Sequence, residues 1–83
     1  MPMTTEKIFL EVISGKKDNA IKFSDLHKLL EALKFSERVK GDHFIYYKNG
    51  VREIINIQPD GKNAKAYQVK QIRNVILAYK LEV

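Results

Sequence analysis

Residues 42–58, DHFIYYKNGVREIINIQ, decide the fold. At their centre Asn49-Gly50 is the dipeptide favoured in two-residue type I′ hairpins, where both central residues need positive φ. The flanking runs are rich in aromatic and β-branched residues, which predicts strands over 42–48 and 51–58. A two-residue loop sets the register: Lys48 faces Val51, Tyr47 faces Arg52, and His43 faces Asn56. Alternation along the strands then sorts the side chains. One face carries Asp42, Phe44, Tyr46 and Lys48 with Val51, Glu53, Ile55 and Ile57; the other carries His43, Ile45 and Tyr47 with Arg52, Ile54 and Asn56. Burying His43 and Arg52 unpaired is costly, so the second face is expected to be the open one. Ile45, Tyr47 and Ile54 would then form an exposed apolar patch beside His43, and such patches mark interaction sites.

Upstream, Ser36–Lys40 is short and polar, suiting an edge strand. A helix is predicted from Ser24 to about Lys34, with Ser24 as N-cap, Asp25 at the positive helix start, and Leu26, Leu29, Leu30 and Leu33 on one stripe. An earlier helix is predicted over Thr5–Ser14, where Ile8, Phe9, Val12 and Ile13 share a face and Gly15 offers a left-handed stop. Residues 15–22 form a polar link. Downstream, Pro59, Asp60 and Gly61 end the last strand and open a basic loop. The final helix is predicted over Tyr67–Lys80, with Val69, Ile72, Val75, Ile76 and Tyr79 facing one way; Leu77 lies off that face, where the first helix could meet it. The order helix, helix, three strands, helix is an α+β arrangement.

At 83 residues the chain is expected to make a single domain. It has no cysteine, which removes a disulfide framework and a thiolate zinc site, and two histidines are too few for a structural metal cage. Neither a metal nor a cofactor is expected. No apolar run approaches the ~20 residues needed to span a bilayer, and Met1–Lys7 lacks the pattern of a secretory signal, so the expected location is the cytoplasm, with no membrane. The net charge of +5 is unevenly placed. Residues 1–37 are balanced, whereas residues 38–80 hold nine Lys or Arg against Asp42, Glu53 and Asp60. A lopsided basic half suits phosphate, although a solvated face has the same composition. Lys40, Lys48, Arg52, Lys62, Lys65, Lys70 and Arg73 are the candidate nucleic-acid contacts, with Lys62 and Lys65 leading into a helix start that also attracts anions.

His43 follows Gly41-Asp42 at a strand start, and histidine is the side-chain type suited to proton transfer at neutral pH. A lone histidine without context is more often an ordinary surface residue. Asp42, as its strand neighbour, should point to the opposite face, which leaves Asn56 as the candidate orienting group. His27, at the edge of the leucine stripe, reads as a boundary residue. No phosphate-cradling glycine loop, HExxH motif or nucleophilic triad is present.

Four stretches, in order, carry a resemblance: FSDLHKLLEALKF from Phe23, Lys40-Gly41-Asp42-His43-Phe44-Ile45-Tyr46, EIINIQ from Glu53, and AYQVKQIRNVILAYKL from Ala66. Together they resemble the HicA family of toxin–antitoxin systems over roughly Phe23 to Leu81. The resemblance implies a double-stranded-RNA-binding-like α-β-β-β-α fold over 23–83, with a three-stranded antiparallel sheet and residues 1–22 as an added N-terminal helical extension. It also implies endoribonuclease activity on mRNA, a catalytic role for His43, and a HicB-type antitoxin that covers the site, for which Ile45, Tyr47 and Ile54 are the candidate contacts. The chain departs from the usual family pattern at Asp42 (Ser), Lys34 (Gly) and Ala66 (often Pro). The leading expectation is a metal-independent mRNA endonuclease. A non-catalytic RNA-binding module of the same fold, and an interaction protein serving only a partner, stay open.

Overall fold

A computed structural model describes residues 4–83, so the first three residues of the expected extension lie outside the described residues. Helix α1 (Thr5–Ser14) starts where Thr4 Oγ1 accepts from Lys7 N, and it stops at Gly15 with φ +71°, as its sequence predicts. A single 3-10 turn at Asp18–Ala20 interrupts the polar link.

Helix α2 (Phe23–Ala32) corrects the expected start. Ser24 is not the N-cap: Lys22 holds that position without a side-chain bond, and Ser24 lies exposed in the first turn. Tertiary ties set this start instead of a local cap. Phe23 N donates to Lys62 O at 2.9 Å and Ala64 N to Ile21 O at 3.0 Å. The Phe23 ring rests on Phe44 with centroids 4.7 Å apart. At the other end Lys34 takes the left-handed conformation, φ +70°, and Phe35 N closes back on Leu30 O at 3.0 Å. This is a Schellman-type stop at the position where the resembled family has glycine.

The sheet runs β1 (Ser36–Lys40), β2 (His43–Lys48), β3 (Val51–Ile57), all antiparallel, in that spatial order. Its two turns differ from expectation. Asp42 does not open a strand; it is the second residue of a two-residue turn, with Lys40 paired to His43. Gly41 alone has positive φ, +62°, the pattern of a type II′ turn. At Asn49-Gly50 the expected type I′ turn is absent, because Gly50 has φ +87° and Asn49 is not positive. That pattern belongs to type II, which splays the strands instead of matching their twist.

The register shows the splaying. Lys48 still faces Val51, but Tyr46 then faces Ile55, Ile45 faces Asn56, and Phe44 faces Ile57. Three β3 residues, Arg52, Glu53 and Ile54, therefore oppose Tyr47 alone, a slip of two from the expected register. The freed Arg52 N–H donates to Tyr79 Oη at 3.1 Å, and that hydroxyl donates in turn to Glu53 at 2.6 Å. A slip of two leaves every side chain on its expected face, since the side-chain period is two. Tyr46, Ile55 and Ile57 are accordingly buried, while His43, Tyr47, Ile54 and Asn56 are exposed.

Helix α3 (Ala66–Tyr79) begins with Lys65 N donating to Gln68 Oε1 at 3.2 Å and ends on a left-handed Lys80, with Leu81 N bonded to Ile76 O. The core joins Ile8 and Val12 of α1, the four leucines of α2 and its end, the buried sheet face, and Val69, Ile72, Val75 and Ile76. Each such side chain contributes about 1.5–3 kcal/mol when fully buried. Helix α1 thus shares the common core. Among the described residues no helix is long and apolar enough to cross a membrane.

Candidate nucleic-acid interface and catalytic site

The open sheet face ends at His43. Its side chain is half exposed, and its Nδ1 stands 3.4 Å from Asn56 Oδ1. The expected partner is therefore present, although the slipped register makes it a diagonal neighbour, because Asn56 directly faces Ile45. An amide oxygen only accepts, so the tautomer that uses this contact carries its proton on Nδ1 and has Nε2 as the basic nitrogen. The separation of Asp42 from His43 is corrected. Because Asp42 lies in the turn, strand alternation does not apply, and its Oδ1 comes within 3.7 Å of His43 Nε2. At that distance it is a loose electrostatic neighbour for an imidazolium. Its other oxygen is held by Gln58 Nε2 at 3.0 Å.

The seven expected phosphate contacts do not gather into one patch. Lys40 sits directly across from His43, so both project from the open face. Lys62 is exposed in the loop before α3, Lys65 caps that helix half buried, and Lys70 is exposed one turn into it. Lys48 lies five residues along β2, about 16 Å from His43, on the helix-side face. Arg52 is exposed at the same far end. Arg73 is not a surface cation. Its Nη1 and Nη2 bond Asp18 at 2.9 and 3.1 Å, Nη1 also reaches Val12 O at 3.2 Å, and its side chain is only 16% exposed. That bidentate bond raises the guanidinium pKa further. Arg73 ties α3 to the end of α1.

Arg38 was not singled out in the sequence. It faces Ile45 across the β1–β2 ladder, which puts it on the open face beside Lys40. Reading Gly41-Asp42 as a Gly-x hairpin turn would have found it, because that turn fixes the β1 register. Arg38, Ile45, Tyr47 and Ile54 line a shallow, largely apolar depression of about 290 Å3. Tyr47 and Ile54 of the expected patch are exposed, Ile45 is half-buried, and Arg38 adds a cation to the same depression.

His27 is placed differently. Its Nδ1 lies 2.9 Å from Tyr46 Oη and 2.8 Å from Glu37 Oε2, and its Nε2 lies 3.3 Å from Glu31 Oε1. Burial and the bond to Glu37 raise the Tyr46 phenol pKa above its ordinary range. This cluster braces α2 against β1 and β2 on the covered side of the sheet.

No curated protein and no solved structure matches the chain significantly. The profile of the HicA toxin family, the HicA toxin of bacterial toxin–antitoxin systems, matches residues 23–78, which spans α2, the whole sheet and nearly all of α3. With that match over more than half its length, the chain belongs to the HicA toxin family and is a toxin of a toxin–antitoxin system.

Proposed function

We propose that this toxin is an endoribonuclease that cuts mRNA, with His43 as its proton-transfer group. The observation that carries the reading is the placing of His43: half exposed, with Nδ1 3.4 Å from Asn56 Oδ1, and directly across the strands from Lys40. A phosphodiester drawn by Lys40 and Arg38 would lie over the basic Nε2. The ribose 2′-oxygen attacks the adjacent phosphorus, forming a P–O2′ bond and breaking the P–O5′ bond. His43 takes the 2′-hydroxyl proton, and the leaving 5′-oxygen gains a proton from water. The products are a 2′,3′-cyclic phosphate and a 5′-hydroxyl, and the step needs proton transfer but no metal. Asn56 keeps the ring in the productive tautomer, and Asp42 favours the imidazolium as it forms.

The open-face patch of half-buried Ile45 with exposed Tyr47 and Ile54 lies just along the strands from His43 and is proposed as the docking surface of a HicB-type antitoxin. A partner covering it would also cover the site. Purified protein incubated with RNA in a chelator tests the catalytic reading. Cleavage with cyclic-phosphate ends supports it; products carrying only 3′-hydroxyls, or cleavage that disappears with the chelator, would contradict the proposed chemistry.

A further inference from the structure

We infer that the groove between the end of β3 and the first turn of α3 holds an RNA base next to the scissile phosphate, with Tyr67 as its stacking platform. The inference rests on the RNA-cleaving reading and names how that site holds its substrate. The groove has a volume of about 270 Å3, and both His43 and Tyr67 line it.

Its lining is chemically selective. Apart from His43 and Tyr67, the polar side chains are the neutral amides of Asn56, Gln58, Gln68 and Gln71, and neither a carboxylate nor a cation lines it. Neutral amides offer a phosphate hydrogen bonds but no charge, whereas they match both the donors and the acceptors that base edges present side by side. Three of the amides are already oriented. Gln58 Nε2 is held by Asp42, so its oxygen remains as an acceptor. Gln68 Oε1 is held by Lys65 N, so its NH2 remains as a donor. Asn56 Oδ1 faces His43, which likewise leaves an NH2. Gln68 is 1% exposed, the one buried polar side chain among the described residues, so its amide is fixed in place.

Tyr67 supplies the remaining element. It is 64% exposed at the second position of α3, pointing away from the core that Val69 and Ile72 fill. Packing does not require an aromatic ring there, whereas any base presents a π-face to one. The cations Lys40 and Arg38 stand on the His43 side, so phosphate and base would be separated along the site, as they are within one nucleotide.

The test uses the full chain carrying His43→Ala, so that bound RNA is not cut. Its affinity is measured for a fluorescent single-stranded RNA and for a matching abasic ribose-phosphate oligomer, across a range of salt. Adding Tyr67→Ala should weaken binding of the base-bearing RNA about fivefold or more. It should leave abasic binding and the salt slope unchanged, since stacking releases no counterions. Tyr67→Phe should keep the affinity. Equal losses on both oligomers, or no loss on the base-bearing one, would overturn the base subsite while leaving the nuclease reading intact. Failure of the parent to bind either oligomer would overturn both. If Tyr67→Ala spares RNA but weakens a partner protein, the groove is a protein contact and the inference fails.

Discussion

The two histidines occupy opposite sides of one sheet. His27 has close acidic partners at both ring nitrogens, within 3.3 Å, and shares them with a buried tyrosine. His43 has only a 3.4 Å amide contact and a 3.7 Å carboxylate, and it faces solvent. A search for histidine–carboxylate pairs alone would select His27. Yet both His27 nitrogens are occupied, and a phosphate arriving there would meet Glu31 and Glu37. At His43 the Nε2 makes no hydrogen bond, its one carboxylate neighbour, Asp42, stands off at 3.7 Å, and the facing residue is Lys40. The closely partnered histidine is a brace; the loosely partnered one is available to a substrate. The same division separates Arg73, held by three hydrogen bonds to Asp18 and Val12, from Lys40 and Arg38 on the open face.

The largest structural effect should come from Arg73→Ala. It strands Asp18 in a half-buried pair and removes the bond to Val12 O, costing about 2–3 kcal/mol in denaturant unfolding. RNA affinity should not change. A normal stability with weakened RNA binding would return Arg73 to the phosphate footprint. His27→Ala comes next, at about 1–2 kcal/mol, because it removes partners from Tyr46 and Glu37. Equal losses from His27→Ala and His43→Ala would break the comparison.

Tyr46→Phe sharpens the brace through pH. Burial and Glu37 hold the phenol protonated in the folded state, while the unfolded phenol ionises near its ordinary value of 10.0. A raised folded pKa means that this contribution is fully present below pH 10 and is lost above it. Tyr46→Phe should cost about 1 kcal/mol at neutral pH, and its deficit should shrink above pH 10 in melts followed by circular dichroism. A constant deficit would contradict the role of the phenol. Smallest, and opposite in sign, Lys34→Gly should stabilise by about 0.5–1 kcal/mol, since glycine holds a left-handed stop without strain. Destabilisation would mean that the Lys34 side chain contributes more than its backbone costs.

Much of this was legible in the residues because it depends on period. The leucine stripe of α2 and the division of β2 and β3 into covered and open faces survive a register slip of two, since both repeat. The resemblance over Phe23 to Leu81 also agrees with the matched family. Single positions were harder. Ser24 has the chemistry of an N-cap, but ties from Lys62 and Ala64 to the chain before α2 start the helix earlier, and those partners lie some forty residues away. Asn49-Gly50 suits a type I′ turn, but Tyr79 satisfies the bulged strand beside it. Arg73 looked like a surface cation until the 3-10 turn brought Asp18 to it. The placing of Asp42 and Arg38 differs from expectation for one reason: Gly41-Asp42 reads as leading into a strand when it is itself the turn.

The most direct test of the central claim is to induce the chain in a bacterium without its antitoxin and compare His43→Ala with His27→Ala for growth and mRNA integrity, after confirming equal soluble levels. Positioned acid–base catalysis contributes about 10²–10⁴-fold, so His43→Ala should abolish growth arrest and leave mRNA intact. His27→Ala, if it folds at the growth temperature, should still arrest growth and degrade mRNA. A folded His43→Ala protein that degrades mRNA at the wild-type rate, or a folded His27→Ala protein that does not, would contradict the account.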